Sequence, residues 1–322
     1  MAEKQFYRFP NEIDTLEITS VGAKIVVSLH DEACITAEYD NPKDYPEFKA
    51  ILTNKTLAFK ESISPLNIFN NKPADDYTIT VKVPAVTYSK VKINTTSGGA
   101  DISGITATDF ELNTASGAIV INTYCENMKI QSASGNVTVT NPTDKVFKTL
   151  STRTVSGNAE VCGCKAESFS IHSVSGNTRY CGVCGTGDIS VTSGTVDVSY
   201  AEWNGDLNVS VISGNVNIAL PTDAGMDLKF DGVSGIIKTD IGNTKGSFMN
   251  LGRGTSGEFG GENKHKVTVS LTSGNVTIAQ KNADDEEPAP APAKPAEFVQ
   301  PVEAASAEDA QTDIAAEKNT EE

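Results

Sequence analysis

Histidine is nearly missing from this chain, with three in 322 residues, at His30, His172 and His265. Few sites can therefore be built around an imidazole base. Cations are also in deficit: 26 lysines and arginines face 42 acids, a formal net charge of -16. A nucleic-acid partner is excluded on that ground, because a phosphate backbone needs a basic footprint. No apolar run approaches the ~20 residues of a membrane-spanning helix. The opening MAEKQFYRFPNEIDTLEI has no apolar leader segment, so the default expectation is the cytoplasm. Aromatics make up only 7% and apolar residues 38%, which suits a thin, repetitive core better than a thick one. No stretch has a helical period, and no glycine-rich phosphate loop occurs.

What is abundant is one dipeptide. Apart from Ser103–Gly104, Ser-Gly begins at Ser97, Ser116, Ser134, Ser156, Ser175, Ser193, Ser213, Ser234, Ser256 and Ser273, at intervals of 17 to 22 residues. A near-constant period of this size marks a repeat architecture. Apolar residues alternate on both sides of each pair. Phe110 and Leu112, Met128 and Ile130, or Phe169 and Ile171 precede it; Ile119 and Ile121, Val137 and Val139, or Val216 and Ile218 follow. Period-2 alternation buries one face and wets the other, so each repeat reads as two short strands. The Ser-Gly corner between them is expected to use positive φ at positions such as Gly135 and Gly214. One such unit cannot bury its own apolar face, and stacking supplies the cover.

The fold expected is therefore all-β: a single-stranded β-solenoid, β-helix- or β-roll-like, of roughly 20-residue two-strand repeats. Residues 97–280 hold the Ser-Gly repeats. Residues 1–96, including TLEITSVGAKIVVSL and YTITVKVP, read as an irregular β N-terminal cap with wider opening rungs. A kink or slipped register is expected near Asn250 and Gly252, where the pattern breaks. Residues 281–322 are rich in proline, alanine and acids, with twelve acidic and three basic residues. Such a tail cannot bury enough surface to order itself.

Recurrent SG followed by V-x-V or V-x-I, after an opening half that ends in VKVP, resembles the bacterial "putative adhesin" β-strand-repeat family, a domain of unknown function. The resemblance covers roughly residues 10 to 280. It implies a β-solenoid, no established catalytic activity and association with the cell envelope. It brings no catalytic motif.

A carbohydrate-active enzyme on a parallel β-helix would need acids and bases clustered on an outward face. The outward acids Glu160 and Asp197 do not fall on neighbouring rungs. His172 is outward, one rung from Arg153, and reads as a solvated polar position; His265, in NKHK, reads as a turn. Tyr200 and Trp203 either cover an open corner of the core or stack on a ligand.

The one unusual constellation is VSGNAEVCGCKAESFSIHSVSGNTRYCGVC. Cys162 and Cys181 stand at the same offset after two successive Ser-Gly pairs, and Cys164 and Cys184 follow closely. Stacked rungs would gather the four at one corner. Free structural thiols, a zinc site formed by Cys162, Cys164, Cys181 and Cys184, and a disulfide are the three readings. No other cofactor is indicated. Cys34 and Cys125 read as incidental buried thiols.

The sequence thus points to a non-enzymatic β-solenoid binding or scaffold module, adhesin-like and associated with the cell surface. Its partner would be an envelope polymer, a peptide or a protein. A carbohydrate-active enzyme and a self-assembling structural protein are the alternatives. One consequence concerns the tail alone: a chain ending at Gln280 should melt at the same temperature as the full chain, since the tail lacks apolar surface to contribute. Thermal unfolding of the two proteins checks this, and a large loss on truncation would contradict it.

Overall fold

The computed structural model describes residues 4–41, 46–62, 77–241, 244–249 and 255–280. These hold twenty-five strands and no helix. The first eight are β1 (Gln5–Pro10), β2 (Thr15–Ser20), β3 (Lys24–Leu29), β4 (Cys34–Asp40), β5 (Glu47–Thr53), β6 (Thr56–Ser62), β7 (Thr78–Val83) and β8 (Thr87–Thr95). Two long strands, β9 (Ala100–Thr114) and β10 (Ile119–Ser132), each run from one rung into the next. Shorter strands follow: β11 (Val137–Thr140), β12 (Phe147–Thr154), β13 (Ala159–Cys162), β14 (Ala166–Ser173), β15 (Asn177–Val183), β16 (Thr186–Val191), β17 (Thr195–Tyr200), β18 (Leu207–Val211) and β19 (Asn215–Leu220). The last six are β20 (Ala224–Gly232), β21 (Ile236–Ile241), β22 (Thr244–Met249), β23 (Thr255–Gly260), β24 (Asn263–Leu271) and β25 (Asn275–Gln280).

Two parallel arrays result, as expected for a solenoid. Strands entering the corners stack in the order β6, β2, β8, β9, β10, β12, β14, β16, β18, β24, β20. Strands leaving them stack as β7, β3, β9, β10, β11, β13, β15, β17, β19, β25, β21. Ten steps of about 4.8 Å make a stack roughly 48 Å long. The inner faces meet in one apolar core. Phe169 of the first array lies 5.9 Å, centroid to centroid, from Tyr180 of the second. Leu112, Ile130, Ile121 and Val139 are wholly buried. Each such side chain contributes about 1.5–3 kcal/mol by leaving water.

The corners are tighter than positive φ alone would make them. Gly135 and Gly214 lie outside the left-handed region, which corrects the expectation; Gly117, Gly235 and Gly274 do occupy it. Glycine is required at the corners mainly because they stack in direct contact. A Cβ on Gly135 would stand 2.3 Å from the carbonyl oxygen of Gly117, one on Gly157 2.0 Å from that of Gly135, and one on Gly176 1.8 Å from that of Gly157. The column continues through Gly194, Gly214 and Gly274. Each corner serine also donates its backbone N–H to the rung beneath, as Ser134 does to Ala115 O at 2.9 Å and Ser175 to Val155 O at 2.8 Å.

Two residues before each corner serine, a second column points inward. It reads Ser20, Thr95, Thr114, Ser132, Thr154 and Ser173, all buried. Three of these hydroxyls close their own corner by donating to a carbonyl three residues on: Thr95 to Gly98 at 3.0 Å, Ser132 to Gly135 at 3.0 Å and Ser173 to Gly176 at 3.1 Å. Ser20 gives its one hydrogen to Glu61, Thr114 donates to Ser116 O at 2.8 Å, and Thr154 Oγ1 has no partner among the described residues. From Val191 onward the column turns apolar, with Val211 and Leu271.

Sequence order and stacking order differ at both ends. The rung around Ser273 is inserted between those of Ser213 and Ser234, so the last repeat is not the last rung. Ser256–Gly257 is no corner at all; it lies within β23, antiparallel to β20. At the other end β2 and β3 form an ordinary rung directly on β8 and β9, with β6 and β7 outside it. Antiparallel strands cover the outermost rungs: β5 and the β4–β1 pair at one end, β23 and β22 at the other. Covering a parallel edge this way removes a template for indefinite pairing. The break near Asn250 and Gly252, and the tail 281–322, lie outside the described residues.

Buried Glu61 completes the first corner. Its Oε2 accepts from Ser20 Oγ at 2.9 Å, Val21 N at 2.7 Å and Gly22 N at 3.4 Å, taking the place that carbonyls of a preceding corner hold elsewhere.

The contact-stacked column predicts a sharp contrast. Gly176→Ala should cost about 3 kcal/mol or prevent folding, because backbone must move to admit the methyl. Gly163→Ala, at φ +67° with open space around it, should cost only about 1 kcal/mol. Denaturant unfolding of both variants checks this; equal losses would contradict the close-contact account.

Candidate functional site

The repeat turns each outward position into a row. The row three residues before the corner serine runs Lys60, Thr19, Asn94, Asn113, Gln131, Arg153, His172, Ser190, Ser210, Ser270, Asp231. It is polar over eleven rungs. A ridge beside it, one residue before the serine, runs Thr96, Ala115, Ala133, Val155, Val174, Thr192, Ile212, Thr272, Val233. The aliphatic members beyond Ala133 stand out: Val155, Val174, Ile212 and Val233 are exposed, Val233 by 72%.

Between row and ridge lies a groove of about 380 Å³. Asn94, Asn113, Gln131 and Arg153 form one wall, Thr96, Ala115, Ala133 and Val155 the other. The floor belongs to the buried hydroxyl column. The amide wall is partly pre-set, since Asn113 Nδ2 donates to Asn94 Oδ1 at 2.9 Å and to Glu111 Oε1 at 3.2 Å. Glu111 is held below the usual carboxylate range by that Asn113 bond, with Lys92 and Lys90 adding to it against the opposing effect of burial. Gln131 and Arg153 make no side-chain hydrogen bond or ion pair among the described residues, so their donors are free.

The other candidates disperse. Arg153 and His172 are register partners on β12 and β14, as the repeat predicted. Glu160 and Asp197 share a row on the second array, with Arg179 between them and its Nη1 4.0 Å from Glu160 Oε1. Asp197 accepts from Asn217 Nδ2 at 2.7 Å. His265 is not in a turn; it lies in β24, its ring 5.7 Å from that of Trp203 and its Nδ1 3.9 Å from Asp206. Tyr200 and Trp203 are buried 4.8 Å apart, and Trp203 Nε1 donates to Gly225 O at 2.7 Å. They close the core rather than present a stacking surface.

Of the four clustered cysteines, the structure joins two. Cys162 and Cys181 are register partners on β13 and β15, with Cα atoms 4.6 Å apart, and they form a disulfide. Cys164 turns inward, its Sγ 3.4 Å from Cys162 O, and Cys184 bonds Ala166 O at 3.4 Å. Both are buried free thiols, as are Cys34 and Cys125. Burial pushes the Cys164 thiol up to about 12 and raises Cys125 and Cys184 as well, which keeps all three protonated and inert at neutral pH. Among the described residues no three His, Cys, Asp or Glu side chains are placed to hold a metal.

The groove was not picked out from the sequence, although its signal was there. Long amides or arginine at one offset coincide with alanine or threonine two residues later only at Asn94–Thr96, Asn113–Ala115 and Gln131–Ala133.

The cysteine geometry predicts that protein purified without reductant carries one disulfide, mapping by peptide mass to Cys162–Cys181. Maleimide should label these two only after reduction. Six free thiols with one equivalent of zinc, lost in Cys181→Ser, would instead establish the metal reading.

The sequence matches the model of the family described as Toastrack DUF4097 twice, over residues 13–148 and 125–279. The overlap follows from the repeat, since a pattern of equal rungs can be laid on the chain in more than one frame. Among solved structures, the chain is similar to a "putative lipid binding protein" from Parabacteroides distasonis ATCC 8503, at 15% identity, covering 86% of this chain and 96% of that one, with a TM-score of 0.50. It is also similar to a "putative adhesin" from Bacteroides fragilis NCTC 9343, at 12% identity, covering 86% and 98%, with a TM-score of 0.47. At 15% identity the first likeness is one of fold. No curated protein matches the sequence. Corner stack, paired strand arrays and family match coincide over the same residues, and the chain belongs to the Toastrack DUF4097 family.

Proposed function

We propose that this chain is a non-enzymatic binding module that holds an extended partner along the outer row beside the Ser-Gly corner, at the cell envelope. The observation that carries the reading is the row itself. Eleven stacked positions present polar groups in one line, at one strand spacing, on a backbone whose own hydrogen bonds are spent within the stack. Such a surface suits a repetitive ligand better than a compact small molecule. Against catalysis stands the engagement of the outward acids by neighbouring side chains, Glu160 by Arg179 and Asp197 by Asn217. The Cys162–Cys181 bridge supports a surface location, because disulfides persist in oxidising compartments.

The exposed aliphatic ridge of Val155, Val174, Ile212 and Val233 favours a second reading, contact with a lipid surface. The net charge of -16 works against it wherever that surface is anionic.

Sedimentation with a bacterial envelope fraction tests the proposal. The protein should co-sediment saturably and release no reducing ends, and it should stay in solution with vesicles of phosphatidylcholine and phosphatidylglycerol. Release of reducing ends that disappears in Glu160→Gln would replace the binding module with an enzyme. Failure to bind the envelope fraction at all would remove the reading.

A further inference from the structure

We infer that the groove spanning the rungs of Asn94, Asn113, Gln131 and Arg153 takes an extended, hydroxyl-rich polysaccharide chain; the inference rests on the binding-module reading and names its ligand class. Three features of the groove select that class.

The first is the pairing of its walls. One side offers carboxamides, each both donor and acceptor, with a guanidinium at the end. A sugar hydroxyl is likewise both donor and acceptor: Gln131 can exchange two bonds with one sugar, Asn94 keeps its Nδ2 donors, Asn113 its Oδ1 acceptor, and Arg153 donates only. The facing wall is made of the methyls of Thr96, Ala115, Ala133 and Val155, which accept the C–H face of a pyranose ring. Gln131 and Arg153 have these bonds to give, as no protein group among the described residues takes them. Asn94 and Asn113 are already locked to each other at 2.9 Å, so they lose little freedom on binding.

The second is the repeat distance. Equivalent side chains recur every strand spacing of about 4.8 Å, in a straight line. A ligand matching four successive rungs must present equivalent groups at a similar rise. Extended (1→4)-linked polysaccharides, one sugar to a rung, do so, while coiled or branched ones fall out of step after one rung. A peptide is disfavoured because its usual route, pairing with a sheet edge, needs free backbone groups. Those of the groove rungs are bonded to the rungs on either side.

The third is where the groove stops. On the Arg153 rung the ridge rises to Val155, and on the next to Val174, while the row shortens from His172 to Ser190 and Ser210. Long polar residues over small neighbours are confined to the rungs of Asn94, Asn113 and Gln131, with Arg153 closing the end, so the site has a defined length.

Titration calorimetry with cellohexaose, chitohexaose and hexagalacturonate, and with their shorter oligomers, tests the inference on the full chain. At least one series should bind, gaining affinity up to about four sugars and then levelling. Gln131→Ala should weaken binding by about five- to tenfold, the usual effect of losing one or two such hydrogen bonds. Ala133→Trp, which fills the groove from the opposite wall, should abolish it. Lys238→Ala, exposed on the second strand array, should leave it unchanged. If hexagalacturonate alone binds and Arg153→Ala abolishes that binding, the chain taken is acidic. Should no hexamer bind, or should affinity ignore both length and Ala133→Trp, the polysaccharide assignment fails. Continued co-sedimentation with the envelope fraction would then show that the binding module stands with another ligand.

Discussion

Each corner of this protein rests on the carbonyl oxygen of the corner below, with no room between for a methyl group. From Gly98 to Gly274 a Cβ would fall 1.8 to 2.5 Å from the oxygen beneath it. That contact fixes register: a slip by one residue would bring a side chain into the gap and turn every apolar residue outward. Since each rung is pinned at its corner, each offset from the corner becomes a straight column. The buried hydroxyls, the amide row, the aliphatic ridge and the paired Cys162 and Cys181 are all columns of this kind. The candidate binding surface is thus a consequence of the corner, not a separate invention upon it.

A stack held this way is vulnerable at its ends, where a corner has no neighbour and a strand has no partner. The chain meets this by placing one rung out of order at each end and laying antiparallel strands outside it. Glu61 supplies an oxygen to Val21 and Gly22, as corner carbonyls do on later rungs. The same arrangement keeps the outer row uninterrupted, because the inserted rung of β24 carries Ser270 in line with Ser210 and Asp231.

Much of this was legible in the sequence. The Ser-Gly period and the alternation about it gave the two-strand rung, and the equal offsets of Cys162 and Cys181 placed them on adjacent strands. The reason for glycine was misread, since a dipeptide repeat cannot distinguish a positive φ from a close contact. The inserted rung was illegible because LTSGNVTI after Thr268 has the same pattern whichever neighbours it pairs with. Ser256–Gly257 misled for the opposite reason: the dipeptide occurs there within a strand. The hydroxyl at Thr95, Ser132 and Ser173 was visible but unread, as its role appears only when the corner closes onto it. The groove depends on two columns at once, and neither is unusual alone.

The most direct test of corner-pinned stacking is the order of rungs at its far end, read by oxidative cross-linking on the exposed ridge. Ile212→Cys with Thr272→Cys places two thiols on neighbouring rungs, about 4.8 Å apart, whereas Ile212→Cys with Val233→Cys places them two rungs apart. The stack described here predicts rapid disulfide formation in the first pair and none in the second. Rapid bonding in the second pair and none in the first would mean that rungs follow sequence order, and the columns built on this register would fall with it.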